Sequence, residues 1–267
     1  MANAAAKTYS NYDVFGEASV NIQRCHAVTG WRLAAAMLGV ALSVISSRAN
    51  ELSEFNAAVE DAVAHQRIAI GYLRTDNIDL AALEIERARA SWTALMAAFK
   101  TPPSPFRDRR AYETALNTAQ SQLATALRRV NAGQTRLARE ALASVRTSLS
   151  ALRRANGVEV LADCVLAANA IMDAFFVYHD RPPDWTKAAV RSDVADKAEA
   201  YGHTVKHCDA IAPTAVKTNA EFRRLVDGAI ASLALVPTAI NQRDSDLLYR
   251  LLGELRAFDH LLAFRYG

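Results

Sequence analysis

The sequence predicts an all-α protein: two tandem antiparallel four-helix bundles that follow an N-terminal signal segment. Glycine and proline are scarce, at 10 and 7 of 267 residues, while Ala, Leu and Arg favour helices. Apolar residues recur every three or four positions, and no strand-like alternation bounded by turn residues stands out. A hydrophobic share of 51% with 22% charged residues is a normal balance for a soluble globular protein.

Residues 1–49 are predicted to be an exported signal or leader segment. A basic flank at Arg32 precedes an apolar stretch, 33–45, that is too short to span a bilayer, and small residues at 47–49 suit a signal peptidase. The polar stretch before it is long for a leader, so either the leader is extended or the true start lies downstream. An amphipathic first helix is the alternative. We expect a mature chain beginning near Asn50, periplasmic or otherwise exported from a bacterium.

Eight amphipathic helices are predicted in the remaining chain, each with an apolar stripe that buries one face. They cover residues 54–74, 79–100, 108–131, 134–154, 158–179, 192–210, 219–240 and 244–266. The pair Asn156-Gly157 is a typical helix end. The first bundle is therefore predicted to cover residues 50–157, and the second residues 158–267.

The charge of the predicted mature chain is nearly balanced. Without residues 1–49, 27 of the 31 basic and 26 of the 28 acidic side chains remain. The first bundle has a net charge of +4 and the second of −3. Opposite signs favour docking of the bundles on each other or on another copy, so a homodimer is an open alternative.

A row of arginines on the predicted fourth helix raises the question of a basic binding patch. Arg136, Arg139, Arg146 and Arg153 put several guanidinium groups on one side of that helix. Acidic neighbours favour a solvated helix face instead, and no aromatic residues interleave as stacking platforms for bases. Nucleic-acid binding is not predicted.

The last two predicted helices, joined by a short polar turn and ending in Phe264-Arg265, resemble the C-terminus of the cytochrome c′ family. In that family the final helix carries Cys-x-x-Cys-His just before Phe-Arg. Aligning the pair puts Ala257 and His260 where the two thioether cysteines stand, and Leu261 where the haem-ligating histidine stands. Covalent c-type haem is therefore excluded, because thioether bonds need cysteine thiols. The resemblance implies a four-helix bundle without the family's haem chemistry.

The pattern occurs twice, which predicts duplication of a whole four-helix unit. A shift by about one bundle length lays Leu137, Leu142, Arg146, Leu152 and Gly157 on Leu247, Leu252, Arg256, Leu262 and Gly267. The resemblance is clearest over residues 190–267 and fainter over 108–157.

A disulfide is predicted between Cys164 and Cys208. They are the only cysteines left after signal removal, and an exported protein meets an oxidising compartment. If the two helices that carry them run antiparallel about a connection near 183–185, the two residues lie level and on inward stripes. Reduced core thiols that pack as small apolar groups are the alternative.

Two histidines form a candidate metal site. His203 and His207 are one helical turn apart, a spacing at which two imidazoles can share Zn²⁺, Cu²⁺ or Ni²⁺. The inward stripe of that helix, which includes Tyr201 and Val205, lies about 200° away. Solvated histidines on the outer face are therefore the favoured interpretation.

Non-covalent haem is a further candidate, because four-helix b-type cytochromes hold haem between a Met on the first helix and a His on the last. Met172 and His260 occupy those helices here. However, Met172 lies on an apolar stripe, where a core methionine is the default, and His260 is one residue out of register with the family's ligand. No Glu-x-x-His pattern for a di-metal carboxylate site occurs.

Catalytic motifs do not stand out. The sequence has no Gly-rich phosphate loop, no Gly-x-Ser-x-Gly, no His-Glu-x-x-His and no Cys-x-x-Cys. We therefore predict an exported, non-catalytic helical-bundle protein without a cofactor, acting as a binding or interaction module for a protein or small-molecule partner. After signal removal it has no stable membrane span. The alternative is a periplasmic transition-metal-binding protein that uses His203 and His207.

Overall fold

The computed structural model describes the backbone of residues 31–267 and the side chains of residues 50–267. Over that range the chain is all-α, as predicted. Its helices are α1 (Trp31–Arg74), α2 (Ile78–Ala98), α3 (Arg109–Asn131), α4 (Thr135–Ala155), α5 (Leu161–Asp180), α6 (Ala188–Ile211), α7 (Thr214–Lys217), α8 (Ala220–Ala234), α9 (Val236–Gln242) and α10 (Ser245–Tyr266).

The signal segment predicted over residues 1–49 falls outside the described side chains, and residues 1–30 fall outside the described backbone. Backbone contacts divide the chain into a unit Met1–Ser46 and a compact unit Ser47–Gly267. Everything below concerns the second unit.

Besides the start of α1, which lies at Trp31 rather than at residue 54, the described helices differ from the eight predicted ones in two places. The predicted helix 219–240 is divided into α8 and α9, because Pro237 lacks a backbone N–H and stands in the first turn of α9. The second difference is the single-turn α7, which follows Pro213. Two aspartates cap the helices that follow them: Asp108 accepts from the Ala111 N–H, and Asp244 accepts from the Leu247 N–H.

A first hydrophobic core lies among α1, α2, α3 and α4. The ring of Phe55, fully buried, packs edge-on against Phe99 with 5.4 Å between ring centroids. Trp92 on α2 donates from Nε1 to the Leu116 carbonyl on α3 at 3.0 Å. Because the buried indole N–H has this partner, the large ring can lie inside the core without an unsatisfied donor.

A second core lies among α5, α6, α8, α9 and α10. Its largest fully buried side chains include Met172, Phe175, Tyr201 and Phe222. Trp185, in the connection between α5 and α6, donates from Nε1 to Ser245 Oγ at 2.8 Å. That hydrogen bond links the connection between α5 and α6 to the start of α10.

The predicted disulfide is present. Cys164 on α5 and Cys208 on α6 are bonded, with 5.4 Å between their Cα atoms, a normal separation for a bridge. Both residues belong to the second core, with 6% and 4% of their surface exposed. Cys164 and Cys208 therefore lie side by side on α5 and α6, as expected for two antiparallel helices.

Polar contacts join helices of the first core to helices of the second. Arg153 Nη1 on α4 lies 3.5 Å from Asp163 Oδ1 on α5, and Arg67 Nη1 on α1 donates to the Gly267 carbonyl at 2.7 Å. Residues 47–267 form one compact unit by backbone contacts. The division into two domains, and the duplication behind it, stay predictions.

Two segments of the described chain are long and apolar enough to cross a membrane: α5 and the stretch Ala220–Gln242. Both also supply core side chains, among them Met172 and Phe222, which are fully buried. Core helices pass the same test of length and composition. The absence of a membrane span in the mature chain stays a prediction.

Candidate anion-binding cleft

A cleft of about 380 Å³ between α1, α4, α5 and α10 carries four arginine side chains, and we call it the arginine cleft. Arg67 and Arg74 come from α1, and Arg139 and Arg146 come from α4. The members of each pair are seven positions apart. Seven residues make about two helical turns, so both members face the same side of their helix.

Packing between α1 and α4 brings these two arginine pairs to one place. Gln66, next to Arg67 in the chain, is 1% exposed and donates from Nε2 to the Leu142 carbonyl on α4. Leu142, midway between the α4 arginines, is fully buried. The buried contact fixes the two helices face to face, so the neighbouring guanidinium groups line the same cleft.

Two of the four guanidinium groups have buried nitrogens without a partner. Arg139 Nε and Arg146 Nη2 are buried and donate to no hydrogen-bond acceptor among the residues that the structure describes. Burial, and then the nearby charge of Arg67, lower the pKa of Arg146 to about 10. Arg146 therefore remains a cation at neutral pH, and an incoming oxygen atom can satisfy its free donor.

The opposite wall adds little negative charge. Asp173 on α5 is the carboxylate of the lining, and its Oδ1 is already 2.7 Å from Arg256 Nη2. His260 on α10 also lines the cleft, and burial followed by the charges of Arg256 and Arg74 lowers its pKa. The arginine cleft therefore has an excess of cationic groups, although Arg67 Nη1 also lies 3.1 Å from Glu60 Oε2, and the lowered pKa of His260 disfavours its charged form.

A buried carboxylate lies directly behind this wall. Asp259 is 1% exposed and accepts from Asn169 Nδ2 at 2.6 Å, with Arg256 Nη1 at 3.4 Å. Burial raises the pKa of Asp259 to about 6, although the hydrogen bond from Asn169 and the charge of Arg256 act in the opposite direction. Asn169 lines the cleft as well, so this polar group positions the α5 wall.

A second, wider space of about 870 Å³ continues along α5, and we call it the wide lobe. It shares Thr147, Asn169 and Asp173 with the arginine cleft. Its far end holds Glu159 and His207, whose Oε1 and Nε2 atoms are 2.6 Å apart.

The two histidines of the candidate metal site line different clefts. His207 lines the wide lobe, whereas His203 lines a separate space of about 610 Å³ between α6, α8 and α9. Cys208 is in the disulfide. Among the described side chains, no group of three or more His, Cys, Asp or Glu is placed to hold a metal ion.

The two residues considered for haem also have different surroundings. Met172 is fully buried in the second core, as its apolar stripe indicates. His260 lines the arginine cleft, on the side of α10 that faces α1 and α4.

The interpretation of the α4 arginines as a solvated face was wrong for part of the row. Arg136 fits it, with 70% of its side chain exposed. Arg153 has only 3% exposed, and Arg139 and Arg146 line the cleft. The signal that sequence reasoning missed is the matching seven-residue spacing of Arg67 and Arg74 on α1, since two facing rows enclose a site that one row cannot.

Comparisons with protein-family models, curated proteins and solved structures find no match for this chain. The resemblance to cytochrome c′ stays a prediction.

Proposed function

We propose that this protein is an exported, non-catalytic binding module, and that its ligand carries an oxyanion, such as a phosphate, sulfate or carboxylate group, which binds in the arginine cleft. The observation that carries the proposal is the convergence of Arg67, Arg74, Arg139 and Arg146 on one cleft. Among the described residues of its lining, Asp173 is the one carboxylate, and it is already paired.

Guanidinium chemistry supports an oxyanion as the bound group. Its planar fork of donors matches two oxygens of one anion, and hydrogen bonds between charged partners are the strong ones. A buried donor without an acceptor costs free energy, which is recovered when a ligand oxygen arrives. Arg139 and Arg146 each have such a donor. The cleft volume of about 380 Å³ suits a small molecule.

Binding rather than catalysis is favoured by the same side chains. Arginine stays protonated at neutral pH, so it holds and orients an anion without moving protons. Export is supported by the disulfide between Cys164 and Cys208, because such bridges persist in oxidising compartments and are rare in the cytosol of most organisms.

Sulfate titration by calorimetry tests the proposal, since sulfate keeps its charge across the working pH range. We expect saturable binding by the wild type, and affinity reduced about tenfold or more in Arg139→Ala, because a hydrogen bond between charged groups is lost. The matched control is Arg136→Ala, one turn earlier on α4, whose side chain is exposed and paired with Glu140.

The two variants separate a site from general surface charge. Arg136→Ala is expected to bind sulfate like the wild type, although it loses the same formal charge. Equal weakening by both substitutions, or no saturable binding by the wild type, contradicts the proposed function.

A further inference from the structure

We propose that the oxyanion of the ligand is attached to an aromatic ring, and that this ring packs against Phe264 while the anionic group lies among the arginines. This inference rests on the proposed function and deepens it, since it names the class of ligand for the same cleft. It is carried by the small residues between the paired arginines, by the exposed ring of Phe264, and by a volume larger than an oxyanion needs.

A small residue stands between the two cleft arginines on each of their helices. On α1, Gly71 lies four residues after Arg67 and three residues before Arg74. Ala143 has the same placement between the two cleft arginines of α4. Residues three and four positions apart share one face of a helix, and both small residues line the cleft. They leave space between the guanidinium groups that a larger side chain would fill.

The ring of Phe264 on α10 borders this space. Phe264 lines the arginine cleft and is 40% exposed. Its Cε2 atom lies next to the backbone of Gly71, since a Cβ added at that glycine would be 3.5 Å from it. Phe264 is therefore beside the face of α1 that carries Arg67 and Arg74. A ligand ring placed against it removes apolar surface of both groups from water.

The cleft has room for such a ring in addition to the anionic group. Its volume of about 380 Å³ is within the range of small-molecule sites, roughly 300–1,000 Å³, whereas an inorganic oxyanion fills only a small part of it. Ile70, Leu166 and Ala263 add further apolar side chains to the lining. The lining therefore combines cationic groups for an oxyanion with apolar surface for the group that carries it.

An aromatic group fits this surface better than a saturated one. Two aromatic rings in contact attract each other beyond the burial of their surface, because the positive edge of one ring meets the negative face of the other. A saturated ring of similar size buries as much apolar surface but lacks this attraction.

The experiment compares methanesulfonate, cyclohexanesulfonate and benzenesulfonate, which carry the same charge and differ only in the attached group. The affinities are measured by calorimetry on the full chain. We expect benzenesulfonate to bind the wild type about tenfold more tightly than methanesulfonate, because its ring leaves water. It should bind about threefold more tightly than cyclohexanesulfonate, because of the contact with Phe264.

Phe264→Leu tests the contact, since leucine keeps an apolar side chain at this position and removes the aromatic ring. We expect this variant to bind benzenesulfonate and cyclohexanesulfonate equally tightly, with unchanged affinity for sulfate. The matched control is Tyr249→Leu, which removes another exposed aromatic ring of α10. The Tyr249 ring stacks on His179 with 4.0 Å between centroids, and the preference for benzenesulfonate should persist without it.

The outcomes distinguish this inference from the proposed function. If sulfate binds but benzenesulfonate binds no more tightly than cyclohexanesulfonate, the aromatic ligand is ruled out while oxyanion binding stands. The same holds if Phe264→Leu keeps the full preference, or if Tyr249→Leu loses it as well. If neither sulfate nor any of the sulfonates binds, the proposed function itself fails.

Discussion

Opening the disulfide between Cys164 and Cys208 should weaken the second core by a predictable amount. The bridge joins α5 to α6 across a sequence separation of 44 residues. In the chain-entropy model, closing a loop of that size stabilises the folded state by about 4 kcal/mol at 25 °C, because the cross-linked unfolded chain has fewer conformations. For a chain of this size, that corresponds to a fall in the melting temperature of roughly 8–16 °C.

The assay is urea unfolding followed by circular dichroism, with and without dithiothreitol. All chains carry Cys25→Ala, so that no third thiol can exchange with the bridge. The reduced wild-type bridge isolates the cross-link, since both sulfur atoms stay in place. A Cys164→Ala, Cys208→Ala chain should be insensitive to dithiothreitol and slightly less stable than the reduced protein, because two buried sulfur atoms are lost.

Two results would refute this reasoning. One is a reduced protein within about 1 kcal/mol of the oxidised one, which would mean that the loop entropy is not the stabilising factor. The other is the titration of two free thiols per chain in unreduced protein under denaturant, which would show that the bridge does not form.

Three further substitutions test the second core. Asp259→Asn should remove a pH dependence of the free energy of unfolding, because burial raises the pKa of Asp259 to about 6. In the wild type the stabilisation by the protonated carboxyl is fully present below about pH 4 and is lost as the pH rises through 6. The total change is about 3 kcal/mol. A wild type whose stability, relative to Asp259→Asn, stays constant across that window would contradict this. Gly228→Ala should cost about 1–3 kcal/mol, because the added Cβ would lie 2.6 Å from Phe258 Cζ, whereas Gly253→Ala, which meets nothing within 4 Å, should stabilise α10 by up to about 1 kcal/mol.

Local patterns in the sequence predicted helices and one long-range contact. The disulfide was predictable because the two helices were expected to run antiparallel from a known connection. Counting residues outward from that connection then identifies the positions that lie side by side. The division between α8 and α9 was not predicted, although Pro237 inside the predicted seventh helix carried the signal. The burial of Asp259 was not predicted either, although Asp259 follows the spacing of Leu248, Leu252 and Leu255 on α10.

The arginine cleft could not be predicted in the same way. Arg67 and Arg146 are far apart in the chain, and each looks like an ordinary charged residue on an amphipathic helix. They meet only because Gln66 contacts the Leu142 carbonyl in the first core, and because α5 and α10 of the second core close the other side. The site is a product of tertiary packing between helices, which periodicity within one helix does not specify.

The burial of Arg146 should also cost stability, which gives a last prediction. A pKa of Arg146 lowered from 12.5 to about 10 corresponds to a cost on the order of 3 kcal/mol for its charged form. Burying a charge that is not fully hydrogen-bonded costs free energy, so an apolar side chain of similar length at position 146 removes that cost. Arg146→Met should therefore raise the ligand-free stability by roughly 1–3 kcal/mol and abolish the stabilisation by sulfate, which in the wild type should reach about 2.7 kcal/mol at a hundredfold excess over Kd.

The matched control is Arg136→Met on the exposed side of α4. It should change the ligand-free stability by less than about 0.5 kcal/mol and leave the stabilisation by sulfate unchanged. Urea unfolding of the three chains at increasing sulfate measures both quantities. If Arg146→Met is less stable than the wild type without sulfate, then Arg146 contributes to the fold and not to a ligand, because its guanidinium would already be satisfied. If it is more stable and no longer responds to sulfate, the protein keeps a destabilising cation in place for binding, as expected for a site retained at the expense of stability.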